Sequence, residues 1–96
     1  MKKTFAQISS ALLLGSLTLL SSVAFAGPKC TEEPSDTWID QDAFQEQLKE
    51  EGYDIKKFKV TSGNCYEIYG HNADGKKVEI YFHPVTGEKV KEEIDD

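Results

Sequence analysis

The chain has 96 residues, 39% of them hydrophobic and 29% charged, with 11 Lys+Arg against 17 Asp+Glu and a formal net charge of −6. That length holds at most one small domain and leaves little room for an enclosed active-site cleft. The acidic excess argues against nucleic acid and against anionic membrane surfaces as partners.

Met1-Lys2-Lys3 is a short positive segment, and an apolar stretch follows from about Ile8 to Leu20. Ala24-Phe25-Ala26 then places small residues at the −3 and −1 positions of a cleavage site before Gly27. This is the pattern of a cleaved secretory signal peptide over residues 1–26, because an apolar stretch of about 13 residues is short of the ~20 that span a bilayer. A lipid anchor would need a Cys directly after the cleavage site, and the nearest, Cys30, follows Gly27-Pro28-Lys29. The expected product is periplasmic or secreted, with no lipid anchor and no direct membrane insertion once the leader is gone. Its removal takes away Lys2 and Lys3 and no acids, so the net charge falls from −6 to −8.

Export decides how the cysteines read. Cys30 and Cys65 are the only two, they form no C-x-x-C redox pair and no C-x-x-C-H haem site, and the destination is oxidising. They are expected to form a structural disulfide rather than to supply a reactive thiol.

Residues 27–38, rich in Pro, acids and turn formers, read as an extended entry segment. Asp40 is a good N-cap, with Gln41 and Asp42 in the first turn. Ile39 before the cap and Phe44 at the fourth helical position have the spacing of a hydrophobic staple. Phe44 and Leu48 form a narrow apolar stripe beside Ala43, and Gly52 stops the helix, which is expected over about Asp40 to Glu51. Three strand-like runs follow, at Asp54–Thr61, Cys65–His71 and Lys77–His83, alternating around Phe58/Val60, Tyr66/Ile68 and Val78/Ile80/Phe82. Ser62-Gly63-Asn64 and Ala73-Asp74-Gly75 are three-residue hairpin loops, each ending in a residue that tolerates a left-handed conformation.

The register follows from those loops. Val60 faces Tyr66, Phe58 faces Ile68, Ile68 faces Ile80, Tyr66 faces Phe82 and Gly70 faces Val78, so the aliphatic residues share one face. On the other face Lys59 lies opposite Glu67, Tyr69 opposite Glu79 and Glu67 opposite Tyr81, which brings opposite charges and tyrosines together. Cys65 then points away from the helix-covered face. Either the entry segment wraps around the sheet edge, or the first loop is one residue longer. Pro84-Val85-Thr86-Gly87 is a turn, Glu88–Lys91 is a short fourth strand, and residues 92–96 are an acidic tail. The predicted fold is α+β: one N-terminal amphipathic helix packed on one face of an antiparallel three- to four-stranded meander sheet, with one disulfide.

Trp38, Phe44…Leu48, Gly52-Tyr53-Asp54-Ile55, Phe58-Lys59-Val60, Cys65-Tyr66-Glu67-Ile68-Tyr69-Gly70, Gly75 to Phe82 and Pro84-Val85-Thr86-Gly87-Glu88 together resemble a PepSY domain in its small exported single-domain form. The resemblance covers about Trp38 to Lys91. It rests most on the F-x-P-x-T-G-E ending (Phe82 to Glu88) and the C-Y-E-I-Y-G strand, neither of which encodes chemistry. It implies a helix on an antiparallel sheet over residues 39–91. It also implies kinship with propeptide domains of thermolysin-like metallopeptidases, which contribute to inhibition and assisted folding. This chain has no peptidase attached, so the propeptide role does not carry over directly. Where many relatives have an Asp before the Pro of the last turn, His83 stands here.

No catalytic, cofactor-binding or metal site is expected. Ser35 and Ser62 lie in turn-like segments with no triad motif around either, and no glycine-rich phosphate loop is present. His71 and His83 fall near opposite ends of one hairpin, about 20 Å apart at roughly 3.3 Å per residue, too far to share an ion. Asn72, Asp74 and Gly75 echo a calcium loop without its remaining acids and read as a turn. The face away from the helix, with Lys57, Lys59, Glu67, Tyr69, Glu79 and Tyr81, is the candidate protein-binding surface, since tyrosines among mixed charges suit recognition. An ordinary solvated sheet face is the competing reading, and strand addition or self-association at a sheet edge is a further route. The expected function is a non-enzymatic exported binding module, docked on an envelope partner such as a peptidase that it restrains. The alternative is an accessory protein of a membrane redox or transport system with no cofactor of its own.

Overall fold

A computed structural model describes residues 27–95, and the predicted signal peptide lies outside them. Among the described residues, a 3-10 turn at Ser35–Thr37 leads into a helix, α1 (Gln41–Glu50). Four strands follow: β1 (Asp54–Val60), β2 (Tyr66–His71), β3 (Lys77–Phe82) and β4 (Lys89–Asp95). They form one antiparallel sheet in the order β1-β2-β3-β4. The helix is therefore not at the N terminus of the chain, as the sequence reading had it: an ordered segment precedes it and is part of the packing. Among the described residues no helix is long and apolar enough to cross a membrane.

Local chemistry sets the helix ends. The Asp40 side chain accepts from the Ala43 N–H at 3.0 Å, satisfying one of the orphan donors of the first turn. At the other end the Gly52 N–H reaches the Lys49 carbonyl and the Tyr53 N–H reaches the Leu48 carbonyl, both at 3.0 Å, a Schellman closure. Between these ends only Phe44 and Leu48 are buried, the two residues of the predicted stripe. Phe44 meets Tyr66 and Phe82 with ring centroids 5.2 and 5.0 Å apart, and Ile68, Val78 and Ile80 complete the core beneath.

The register is the predicted one along β2 and β3 and over most of β1. Both hairpin loops hold three residues, closed by Thr61 N–H to the Cys65 carbonyl and Asn72 N–H to the Lys76 carbonyl, with Asn64 (φ 63°) and Gly75 (φ 81°) left-handed at their ends. Two irregularities were not anticipated. β1 bulges between Ile55 and Lys57, and β3 and β4 shift register between Tyr81 and Phe82, so that Val90 is the extra residue. At the first bulge the β1 backbone closes on Gly70, where a methyl group would overlap the Asp54 carbonyl. The acidic tail expected over residues 92–96 pairs with β3 through Asp95 instead, so the fourth strand is longer than Glu88–Lys91.

The Cys65 conflict resolves in favour of a wrapping entry segment. Cys30 is bonded to Cys65, the Cys30 N–H donates to the Gly63 carbonyl at 2.8 Å, and the Asn64 side chain donates to the Thr31 carbonyl at 3.1 Å. Farther along, the segment crosses to the helix side. There Trp38 packs edge-on to Tyr66 at 5.8 Å, the Ile39 N–H donates to the Pro84 carbonyl at 2.8 Å, and the Tyr66 hydroxyl donates to the Ile39 carbonyl. The final turn is closed by the His83 N–H on the Glu88 carbonyl at 2.8 Å. His83 Nδ1 accepts from the Val85 and Thr86 N–H groups at 3.2 and 3.4 Å, which is the service an Asp side chain gives at such a turn.

Closing a loop of 35 residues, the disulfide is expected to contribute about 4 kcal/mol. Cys30→Ser should therefore lower the melting temperature under oxidising conditions by about 20 °C for a domain of this size, and reductant should bring the parent down to the same value. Equal melting of variant and oxidised parent would show that the bond carries no stability. Gly70→Ala should cost about 2 kcal/mol through the forced separation of β1 from β2, read as a shift in denaturant midpoint with an unchanged slope.

Candidate protein-binding face

Alternation along the strands puts Lys57 and Lys59 of β1, Glu67 and Tyr69 of β2, and Glu79 and Tyr81 of β3 on the sheet face opposite α1, in the predicted pairs Lys59–Glu67, Tyr69–Glu79 and Glu67–Tyr81, with Lys57 paired to Tyr69. β4 adds Lys91 opposite Tyr81 and Glu93 opposite Glu79. Neither was in the sequence-derived set: Glu93 lay beyond the expected end of the strand, and Lys91, its last expected residue, had been given no register against β3. Their spacing of two was the available signal.

The six side chains are brought together, but not equally presented. Glu67 is 1% exposed and Tyr81 6%, whereas Tyr69 is 36% exposed and Lys57 and Lys59 lie open to solvent, with Glu79 between. Non-local packing causes the difference. Gly27 sits against the Tyr81 ring, and Pro28 lies over Gly63, so the entry segment covers the loop end of this face. What remains open is Lys57, Lys59 and Tyr69, with Glu79 at the border.

The buried part is electrostatically tense. Neither carboxylate oxygen of Glu67 accepts a hydrogen bond, and Lys59 Nζ stands 3.8 Å from Oε1. Burial first, and then the neighbouring Glu79 side chain, push the Glu67 carboxyl above the usual range. Glu79 goes the other way, held below its ordinary range chiefly by Glu67 and assisted by the Tyr81 and Tyr69 hydroxyls and by Lys91. The two shifts diverge within one coupled pair: burial and Glu79 favour the proton on Glu67, while the Tyr69 and Tyr81 hydroxyls and Lys59 pull it the other way. The Tyr81 hydroxyl donates to Glu79 Oε2 at 2.9 Å, and Lys59 stands 5.9 Å from the Tyr69 ring centroid. Both phenols are pushed above their ordinary range, Tyr69 mainly by Glu67 and then Glu79, Tyr81 mainly by burial and then Glu79.

Elsewhere, His71 faces Lys77 across the β2–β3 hairpin with Nδ1 3.9 Å from Asp54, while His83 caps the last turn at the other end. Among the described residues no group of three or more His, Cys, Asp or Glu side chains is placed to hold a metal ion.

Compared with known proteins, the chain matches one family model, described as peptidase propeptide and YPEB domain, over residues 10–93. No curated protein and no solved structure matches it significantly.

The shifted phenols give a titration. Tyr66 is also raised, by burial and then by Asp40. A phenol whose folded pKa is raised supports folding at pH values below its unfolded value, about 10, and that support is lost as pH climbs through the folded value. Tyrosinate absorbance should therefore lag behind that of the urea-unfolded chain, and stability should fall above about pH 10. Replacing both acids, Glu67→Gln with Glu79→Gln, should bring Tyr69 ionisation back towards the ordinary range. Unchanged curves in that variant would dissociate the phenols from the carboxyl pair.

Proposed function

Because the chain belongs to the peptidase propeptide and YPEB domain family, we propose that it is an exported, non-enzymatic protein-binding module that restrains a peptidase of the cell envelope or its surroundings. The family match over residues 10–93 carries this reading. The geometry supports it by offering a rigid, polar docking face. Tyr69 stands at its centre with Lys57 beside it and Lys59 close to the ring, so an aromatic anchor is fixed among positive charges on a sheet that cannot rearrange without breaking its ladder. A partner presenting carboxylates around an apolar notch would complement the lysines and receive the ring.

Protein recovered from an exporting host that expresses the full chain should slow peptide hydrolysis by a thermolysin-like peptidase at micromolar concentration. Tyr69→Ala with Lys59→Ala should relieve the inhibition at least tenfold while leaving the melting temperature within a few degrees. Unchanged hydrolysis at micromolar protein would remove inhibition of that enzyme class. Photo-crosslinking in the cell from position 69 should give one abundant product well above that from position 46 on the exposed side of α1. Equal, diffuse labelling from both positions would reduce the face to solvated surface.

A further inference from the structure

Gly27 occupies an unusual place for the first residue of an entry segment. Its backbone is left-handed (φ 118°), and a methyl group on its Cα would overlap Cε2 and Cζ of Tyr81 and come within 2.8 Å of the hydroxyl. The hydroxyl end of that ring donates to Glu79, and Glu67 is the direct cross-strand neighbour of Tyr81. The segment cannot drift from this position. Pro28 is packed on Gly63, the Cys30 N–H is bonded to the Gly63 carbonyl, and Cys30 is tied covalently to Cys65. The backbone nitrogen of residue 27, one bond from that Cα, is thereby held near the hydroxyl end of Tyr81, which donates to Glu79.

One acid at that end is without a hydrogen-bond partner. Glu67 is 1% exposed with neither oxygen hydrogen-bonded, and a buried carboxylate in that condition is strongly disfavoured. The groups facing it are Lys59 from β1, Tyr69 from β2, Glu79 and Tyr81 from β3, and Lys91 and Glu93 from β4. Lys59 stands off at 3.8 Å, and Lys91 pairs with Glu93 at 3.3 Å. While residue 27 is in peptide linkage its nitrogen is a neutral amide with one N–H. Hydrolysis of the Ala26–Gly27 bond by the peptidase of the export pathway would put the water oxygen on the Ala26 carboxylate. It would leave the nitrogen as a primary amine, which takes up a proton to become an ammonium with three donors.

We propose that leader removal completes a charge site: the newly made α-ammonium of Gly27 docks on the Glu67–Glu79 carboxyl pair beside Tyr81, so that proteolytic processing itself locks the entry segment onto the sheet. The proposal rests on the reading that the chain is cleaved before Gly27. It explains why a residue without a Cβ stands at this position, since any larger side chain would lift the nitrogen away from the ring and the acids. It also turns a pair of acids that is unfavourable in the precursor into a counter-ion for the mature terminus.

The test uses protein exported and processed from the full chain, with its intact mass fixing the first residue. The probe is acylation of the α-amine by a small acid anhydride, followed against pH by peptide mapping. The amine should titrate at least one unit above its ordinary value of about 8, so that at pH 7 it reacts at least tenfold more slowly than in the same protein unfolded in urea. Glu67→Gln with Glu79→Gln should bring its rate to within about threefold of the unfolded value, and Gly27→Ala should do so with both acids intact. A raised amine pKa supports folding fully below the unfolded value of about 8 and loses that support as pH rises through the folded one. The melting temperature of the processed protein should therefore step down over that interval, and the N-acetylated protein should show no such step. Ordinary reactivity in a product that begins at Gly27 would overturn the docking alone. A product that begins elsewhere would overturn the cleavage reading and the docking with it, and the mass distinguishes the two failures.

Discussion

The Cys30–Cys65 bond fixes more than a loop. It holds the thirteen-residue segment 27–39 at the one point where that segment can touch both sides of the sheet. Before the bond the chain lies against Tyr81 on the face away from the helix, and after the 3-10 turn it reaches Tyr66 and Pro84 on the helix side. A four-stranded sheet with a ten-residue helix has little apolar surface to bury. Straddling the sheet lets a segment of poor intrinsic structure shield the ends of the core and half of the polar face. Remove the bond and its anchors at Gly63 must hold a flexible peptide by two or three hydrogen bonds, each worth about 1 kcal/mol.

The polar face shows what that shielding costs. Carboxylates and the Tyr81 phenol, which would be solvated on an open antiparallel sheet, are crowded together where the entry segment meets the face, and Glu67 is buried as deeply as the core residues Ile68 and Ile80. The two acids are shifted in opposite senses, Glu67 towards its proton by burial and Glu79 towards its charge chiefly by Glu67. Tyr81 serves two purposes there: its ring is the floor for Gly27 and its hydroxyl donates to Glu79. The same crowding leaves Tyr69 and the two β1 lysines as the part of the face that another protein can reach.

Much of this was legible in the primary structure because strands with one buried face obey a period of two. Once Asn64 and Gly75 fix three-residue loops, every pair from Val60–Tyr66 to Gly70–Val78 follows, and a slip by one would have turned Ile68 and Ile80 outward. The helix cap, stripe and stop were equally local. What escaped was non-local or uncoded. The bulge at Lys56 sits in an Asp-Ile-Lys-Lys run with no Gly or Pro to mark it, and the only trace lies on the partner strand, at Gly70. The fourth strand continues through Glu92 and Glu93, residues of low strand propensity, because β3 offers an edge and the ladder outweighs propensity. The burial of Glu67 and Tyr81 could not be read from alternation, which assigns a face but not what lies over it. The one warning was the misplaced Cys65, whose orientation required a segment to come round to that side.

The order of the sheet is also the order of the chain, β1 to β4 without a crossover. Each strand needs only a loop of three to six residues to find its partner, so the contacts that build the sheet are close in sequence and little chain entropy is spent before they form. The entry segment is the exception, since it must return across 35 residues to meet the first hairpin. The sheet can therefore assemble by successive hairpins while the thiols are still reduced. That assembly sets Cys65 at the end of a finished loop as a waiting target, and oxidation records an encounter already prepared rather than searching for one. The topology thus divides what the chain must do into local pairings, independent of redox conditions, and one long-range covalent closure that only oxidation can complete.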